Sequence, residues 1–182
     1  MAPRARLALA AAALIATAGL AVAQDQGHDL PAPAVEPDLT AAIAGPDGTS
    51  HGEATVAATP SGLMLVRLTL TDLPQGVMGV HIHETGACDD PEFQTAGGHL
   101  AGDRDHGIMA GNGPHPGDLP NLHVPENGAI TVEYFVPHLT LDLMQDDDGS
   151  AIIIHDHADD YSTQPTGDAG GRIACGVFQA AR

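Results

Sequence analysis

His81 and His83 stand two residues apart in the apolar, β-branched run Val80-His81-Ile82-His83. In a strand, positions i and i+2 leave the same face, so these two imidazoles make half of a site for copper or zinc. His99 follows Ala96-Gly97-Gly98, where residues without Cβ permit close backbone approach. His106, His115 and Asp118 come further along the same stretch, and His155 ends the apolar run Ile152-Ile153-Ile154. The spacing His115-x-x-Asp118 lets a neutral ring nitrogen and a carboxylate reach one cation within a single turn. Zinc accepts three imidazoles and a carboxylate tetrahedrally, with no thiolate required. His155-x-His157 repeats the i, i+2 spacing, and ligand chemistry alone leaves open which of that pair would serve. His28, His51, His123 and His138 have no partner pattern and read as solvated or hydrogen-bonded rings.

These residues need elements to hold them, and the chain offers short β-prone runs divided by turn signals. Residues 39–44 precede Gly45-Pro46-Asp47-Gly48, and residues 51–59 precede Pro60-Ser61-Gly62. Met64, Val66, Leu68 and Leu70 alternate with Leu65, Arg67 and Thr69, the period of a half-buried strand. Residues 77–83, 130–136, 151–155 and 172–178 complete the set. Between them, 84–128 and 156–171 are rich in Gly, Asp, His and Pro and read as two long functional loops. The expected fold is all-β: an antiparallel Greek-key sandwich or flattened barrel of about eight strands over residues 38–182. Asp146-Asp147-Asp148-Gly149 reads as a turn, since a calcium loop needs more widely spaced oxygens.

Composition narrows the partners. The 182 residues carry 24 acidic side chains against six basic ones, all Arg, for a net charge of −18. That excludes a nucleic-acid binder working by phosphate neutralisation. Residues 1–23 read as a cleavable signal peptide: Arg4 and Arg6, an apolar run, then Ala21-Val22-Ala23. Residues 24–37 read as a flexible leader, and no membrane association is expected after cleavage. In an oxidising compartment Cys88 and Cys175, 87 positions apart, most simply form one disulfide.

Four separated stretches then carry a resemblance: Gly79-Val80-His81-Ile82-His83-Glu84, Ala96-Gly97-Gly98-His99, His115-Pro116-Gly117-Asp118-Leu119, and Gly167-Asp168-Ala169-Gly170-Gly171-Arg172-Ile173-Ala174-Cys175-Gly176. In this order they resemble the copper–zinc superoxide dismutases, in particular the exported bacterial branch. The resemblance implies a periplasmic enzyme with one copper and one zinc per subunit, converting superoxide to O2 and H2O2 by Cu(II)/Cu(I) cycling. It implies copper at His81, His83, His99 and His155, and zinc at His99, His106, His115 and Asp118, with His99 shared and carrying a proton. Asp159 would link His81 to His106, Arg172 would receive the anion with Thr166 at the channel mouth, and Cys88–Cys175 would help place Arg172.

The run after His155 (Ala158-Asp159-Asp160) selects that residue over His157, which is expected to be exposed. His99-Leu100-Ala101-Gly102-Asp103-Arg104-Asp105-His106 is shorter than the family's usual stretch, and Met78 stands where many relatives carry His, implying a packing change. Glu84 is expected outside the ligand sets. An iron site of the cupin type would leave His115 and Asp118 unused. With no Lys present, Arg172 and Arg104 are the cations expected near the channel, and electrostatic steering should be weak. A non-catalytic exported copper- or zinc-binding protein is the alternative, and it gives Arg172 no task. Both a single subunit and a pair remain compatible with the sequence.

Overall fold

The computed structural model describes residues 35–89 and 92–182. The expected signal peptide, and the leader up to residue 34, lie outside the described residues. Ten strands follow in chain order: β1 Leu39–Ala44, β2 Ser50–Ala58, β3 Met64–Leu70, β4 Gly76–Met78, β5 Val80–His83, β6 Leu122–Val124, β7 Ile130–Val136, β8 Ala151–His155, β9 Arg172–Val177 and β10 Gln179–Ala180. Among the described residues a 3-10 turn spans Gln94–Ala96, and one α-helical turn, α1 Leu141–Met144, is capped by the Thr140 hydroxyl, which accepts the Leu143 N–H.

The main sheet runs β5-β8-β9-β1-β2-β3-β7, with β10 also paired to β1, and every pairing is antiparallel. The eight-stranded sheet curls so that β1, β2, β3, β5, β7, β8 and β9 all contribute to one apolar core. This is the expected antiparallel β architecture with two long loops. The run 77–83 divides in a way its sequence does not announce. Gly79 interrupts it, so β4 leaves to pair with β6 in a separate ribbon while β5 pairs with β8. Strand β6 lies within the stretch expected to be wholly loop, where its three residues are too few to show a period. Residues 146–149 form the expected turn, with Asp146 Oδ1 accepting the Asp148 and Gly149 amides.

Strand β8 decides where the site can be. All five of its residues are buried, so both faces are covered. Ile152 and Ile154 enter the main core, while Ala151 and Ile153 pack on the other face with Phe93, Ala96 and Cys175. The loop after β5 thus roofs the outer face of the sheet, and the Cys88–Cys175 disulfide joins that roof to β9. In the loop-entropy picture, closing so long a loop contributes about 4–5 kcal/mol. Met78 is buried in the main core, the packing role expected of it.

Burial sets the cost of change along this framework. Ile152 is inaccessible to solvent, so Ile152→Ala is expected to remove about 2–5 kcal/mol of stability through a cavity in the core. Phe135, on β7, is 66% exposed, and Phe135→Ser is expected to stay within about 0.5 kcal/mol of the parent. Urea unfolding of both variants checks the contrast.

Candidate metal centre

The site grows from the face of β5 that the core does not use. His81 and His83 lie opposite Ile153 and Ala151 of β8, the two residues that turn outward beneath the roofing loop. Directly paired antiparallel residues share a face, so both imidazoles enter the space under the loop. The other edge of β5 is covered by the same long loop. The Ile82 N–H donates to the Gly117 carbonyl at 2.8 Å and the Leu100 N–H donates to the Ile82 carbonyl at 2.8 Å. That crossing sets His99 opposite His83 and Asp118 opposite His81. His155 arrives at the end of β8, two residues beyond Ile153.

Two four-residue sets result, His81/His83/His99/His155 and His99/His106/His115/Asp118, each with its candidate ligand atoms within 4.8 Å of one another. His99 belongs to both. All six imidazoles are buried. In the first set, His81 Nδ1, the Nε2 atoms of His83 and His99, and both ring nitrogens of His155 are buried with no hydrogen-bond partner in the protein. Buried polar atoms are normally satisfied, so orphaned nitrogens on four rings of one cluster fit a cation that would accept their lone pairs.

In the second set, the Nδ1 atoms of His99, His106 and His115 stand 3.0, 3.0 and 3.2 Å from the single Oδ1 of Asp118. Four ligand atoms each about 2.0–2.1 Å from a tetrahedral ion lie about 3.3 Å apart, close to this spacing. The donor sets therefore fit copper and zinc.

Asp159 ties the sets together. Its Oδ2 lies 2.8 Å from His81 Nε2 and its Oδ1 lies 3.0 Å from His106 Nε2. Asn121 fixes that carboxylate's backbone: its amide donates to the Asp159 carbonyl at 2.8 Å and accepts the Asp159 N–H at 2.8 Å. Gly167 leaves no room for a side chain there, since a Cβ would collide with Asp159 Oδ1 and His106 Nε2.

Arg172 begins β9 beside the first set. Its two terminal nitrogens donate to the Phe93 carbonyl at 2.6 Å and the Gly97 carbonyl at 2.7 Å. The Gly97 carbonyl also lies 3.0 Å from His83 Nδ1, so one peptide oxygen orients both the guanidinium and a ring of the cluster. A cavity of about 410 Å³ opens here, lined by His83, His155, Thr166 and Arg172 together with Glu92 and Gln94.

Burial pushes the pKa of His81 down to about 4, of His155 to about 3 and of His83 to about 2, so these rings are neutral with lone pairs available. Burial also opposes charge on His106, but hydrogen bonds to Asp118 and Asp159 outweigh it and raise that ring to about 9. Both carboxyls resist ionisation through burial. Hydrogen bonds from His106 and His99 to Asp118, and from His106 and His81 to Asp159, overcome this and hold the pair well below the usual range.

Every ring and carboxylate expected at the centre is thus brought into it, and Thr166 stands with Arg172 at the cavity. His157 is exposed, with 71% of its side chain accessible. Arg104 differs from expectation: it donates to the Pro114 and Gly113 carbonyls, and serves the loop rather than the cavity. Glu84 accepts the Gly98 N–H at 2.9 Å and so braces the turn before His99. His51 lies 3.2 Å from the Thr71 carbonyl, while His123 and His138 are exposed; His28 lies outside the described residues. The sequence reading missed Asn121, Gln164 and the carbonyls of Phe93 and Gly97. These act through backbone contacts, which leave no spacing pattern.

A curled antiparallel sheet with two histidine-rich cages sharing one ring defines a two-metal protein scaffold. Residues 50–178 match the family described as copper/zinc superoxide dismutase. A copper–zinc superoxide dismutase of Aquifex aeolicus is 39% identical over 139 residues, covering 72% of this chain and 82% of that protein. One of Caulobacter vibrioides is 38% identical over 148 residues, covering 77% and 84%. The crystal structure of a SOD-like protein from Bacillus subtilis matches with a TM-score of 0.72 at 35% identity, covering 76% of this chain and 96% of that one. The chain belongs to the copper/zinc superoxide dismutase family.

The pKa shifts predict how the metal-free chain responds to pH. Below about pH 6.5 the unfolded forms of His81, His83 and His155 take up protons that the folded forms refuse, so stability falls as pH drops toward 4. His106 has the opposite sign: its contribution is complete below about pH 6.5 and is lost as pH rises through about 9. Calorimetry of the metal-free protein at constant ionic strength should therefore show a melting-temperature maximum close to neutral pH.

Proposed function

We propose that the chain is an exported, periplasmic superoxide dismutase that holds copper with His81, His83, His99 and His155, and zinc with His99, His106, His115 and Asp118. In this reading residues 1–23 are removed on export, and 24–37 form a leader before a catalytic domain at 38–182. The observation that carries the proposal is His99, with Nδ1 in one set and an unpartnered, buried Nε2 in the other.

When bound, copper supplies the one-electron couple that alternately oxidises and reduces superoxide. The chain supplies the rest. Arg172 is charged at any working pH, and at the cavity it attracts an anion and turns it toward His83 and His155. The Phe93 and Gly97 carbonyls fix the guanidinium, so little ordering remains when the anion arrives. His99 Nε2 is the atom at which a proton can be held and returned to the reduced product. Asp159 keeps His81 and His106 in fixed orientations across turnover.

Arg172 also separates this reading from metal storage on the same scaffold, which needs no cation at the cavity. Arg172→Ala is expected to lower the superoxide rate constant about 10- to 100-fold while both metals remain bound, as measured by pulse radiolysis and metal analysis. Unchanged activity would remove the proposed role of Arg172.

Removing residues 1–23 takes away Arg4 and Arg6 from a chain of charge −18, and the resulting charge near −20 opposes an approaching anion. At physiological salt, however, each charge acts over only about 8 Å. Among the described residues lining the cavity, Arg172 and Glu92 carry opposite charges. The rate constant is therefore expected to change by less than about twofold between low and physiological ionic strength, in contrast to strongly steered association. Stopped-flow or pulse-radiolysis measurements across a salt series read this directly.

A further inference from the structure

His106 lies between the short 3-10 turn Gln94–Ala96 and β6, in a stretch that contains no named helix or strand. No ladder fixes its backbone there, yet its ring must meet Asp118 on one side and Asp159 on the other, each at 3.0 Å. The peptide is instead held by a side chain from the opposite loop. Gln164 Oε1 accepts the His106 N–H at 2.9 Å, and Gln164 Nε2 donates to the His106 carbonyl at 2.8 Å. A carboxamide presents an acceptor and a donor side by side, as a peptide does, so Gln164 pairs with residue 106 much as a neighbouring strand would.

The same Nε2 donates to the Ser162 carbonyl at 3.1 Å, which keeps the amide plane oriented on its own loop. Two further contacts close the seam between the loops. The Met109 N–H donates to the Tyr161 carbonyl at 3.2 Å, and Gly107 runs so close to that carbonyl that a Cβ would collide with it. Gly107 in turn donates its N–H to Asp118 Oδ2 at 2.8 Å.

We infer that Gln164 is a positioning residue for the zinc side of the centre. By clasping the His106 peptide, it locks the loop that carries His106, His115 and Asp118 to residues 156–171, the loop that carries Asp159 and Thr166. The inference rests on reading His106 as a zinc ligand and goes beyond it. Gln164 itself is exposed, so its importance lies in the alignment it imposes rather than in burial.

Gln164→Met keeps the bulk of the side chain and removes both bonds to the His106 peptide along with the one to Ser162. In the copper- and zinc-loaded protein, zinc affinity by chelator competition is expected to fall about tenfold while copper affinity stays within about twofold. Cobalt(II) substituted for zinc should shift its visible bands. Thr163→Ala removes the 2.5 Å hydrogen bond to Asp160 in the same loop and should leave zinc affinity unchanged. Hydrogen exchange at the His106 amide should accelerate in Gln164→Met, while the Gly107 amide, held by Asp118, stays protected.

Unchanged zinc affinity, cobalt spectrum and His106 exchange in Gln164→Met would overturn the inference. So would equal losses of copper and zinc affinity, the mark of a loosened loop. If His106→Ala retains the parent's zinc affinity, the ligand assignment fails instead. The amide-exchange comparison, which needs no metal, would still judge the clasp by itself.

Discussion

A buried imidazole nitrogen with nothing to bond is a cost that the fold must tolerate until a cation arrives. Five such atoms converge in the first set, and burial keeps the rings of His81, His83 and His155 neutral. Their neutrality is what makes them ligands, since a protonated ring has no lone pair to give. The sheet bears this cost because β8 is packed on both sides, which leaves His81, His83 and His155 on a strand framework with little freedom to turn their rings toward water.

The roof over that centre is what holds the Arg172 guanidinium at the cavity. Phe93 and Ala96 press on Ile153 and Ala151, the disulfide secures the loop to β9, and the anchored segment then presents two carbonyls to Arg172. Carbonyl oxygens are acceptors only, so they take up the inner donors of the guanidinium without neutralising its charge. A carboxylate in the same place would hold the side chain equally well and cancel its positive charge at the cavity.

The sequence showed the strands best where alternation and turn residues coincided. Residues 39–44, 130–136 and 151–155 are strands with the limits that their patterns suggest. It failed at Gly79, where a continuous β-prone run changes sheets, because the break depends on the backbone of residue 157 pairing with Gly79. It failed again at β6, whose partner strand is more than forty residues away. The clustered rings were legible because their motifs keep a family order. The bracing was not: Asn121 and Gln164 grip peptide groups, and every residue has a peptide group. Arg104 shows the converse, a charge that looks available in sequence but is committed to loop carbonyls.

Asp159 has one more consequence. With one oxygen on a ring of each set, it makes the orientation of His81 and the orientation of His106 parts of a single equilibrium. Whatever free energy an ion in one cage spends on aligning its ring is spared the ion that enters the other. Thermodynamic reciprocity then requires the benefit to run equally in both directions, so the order of filling cannot alter the total. With an ion in each cage the two would form a heterotropic pair within a single chain, coupled through a carboxylate that lies outside both four-residue sets.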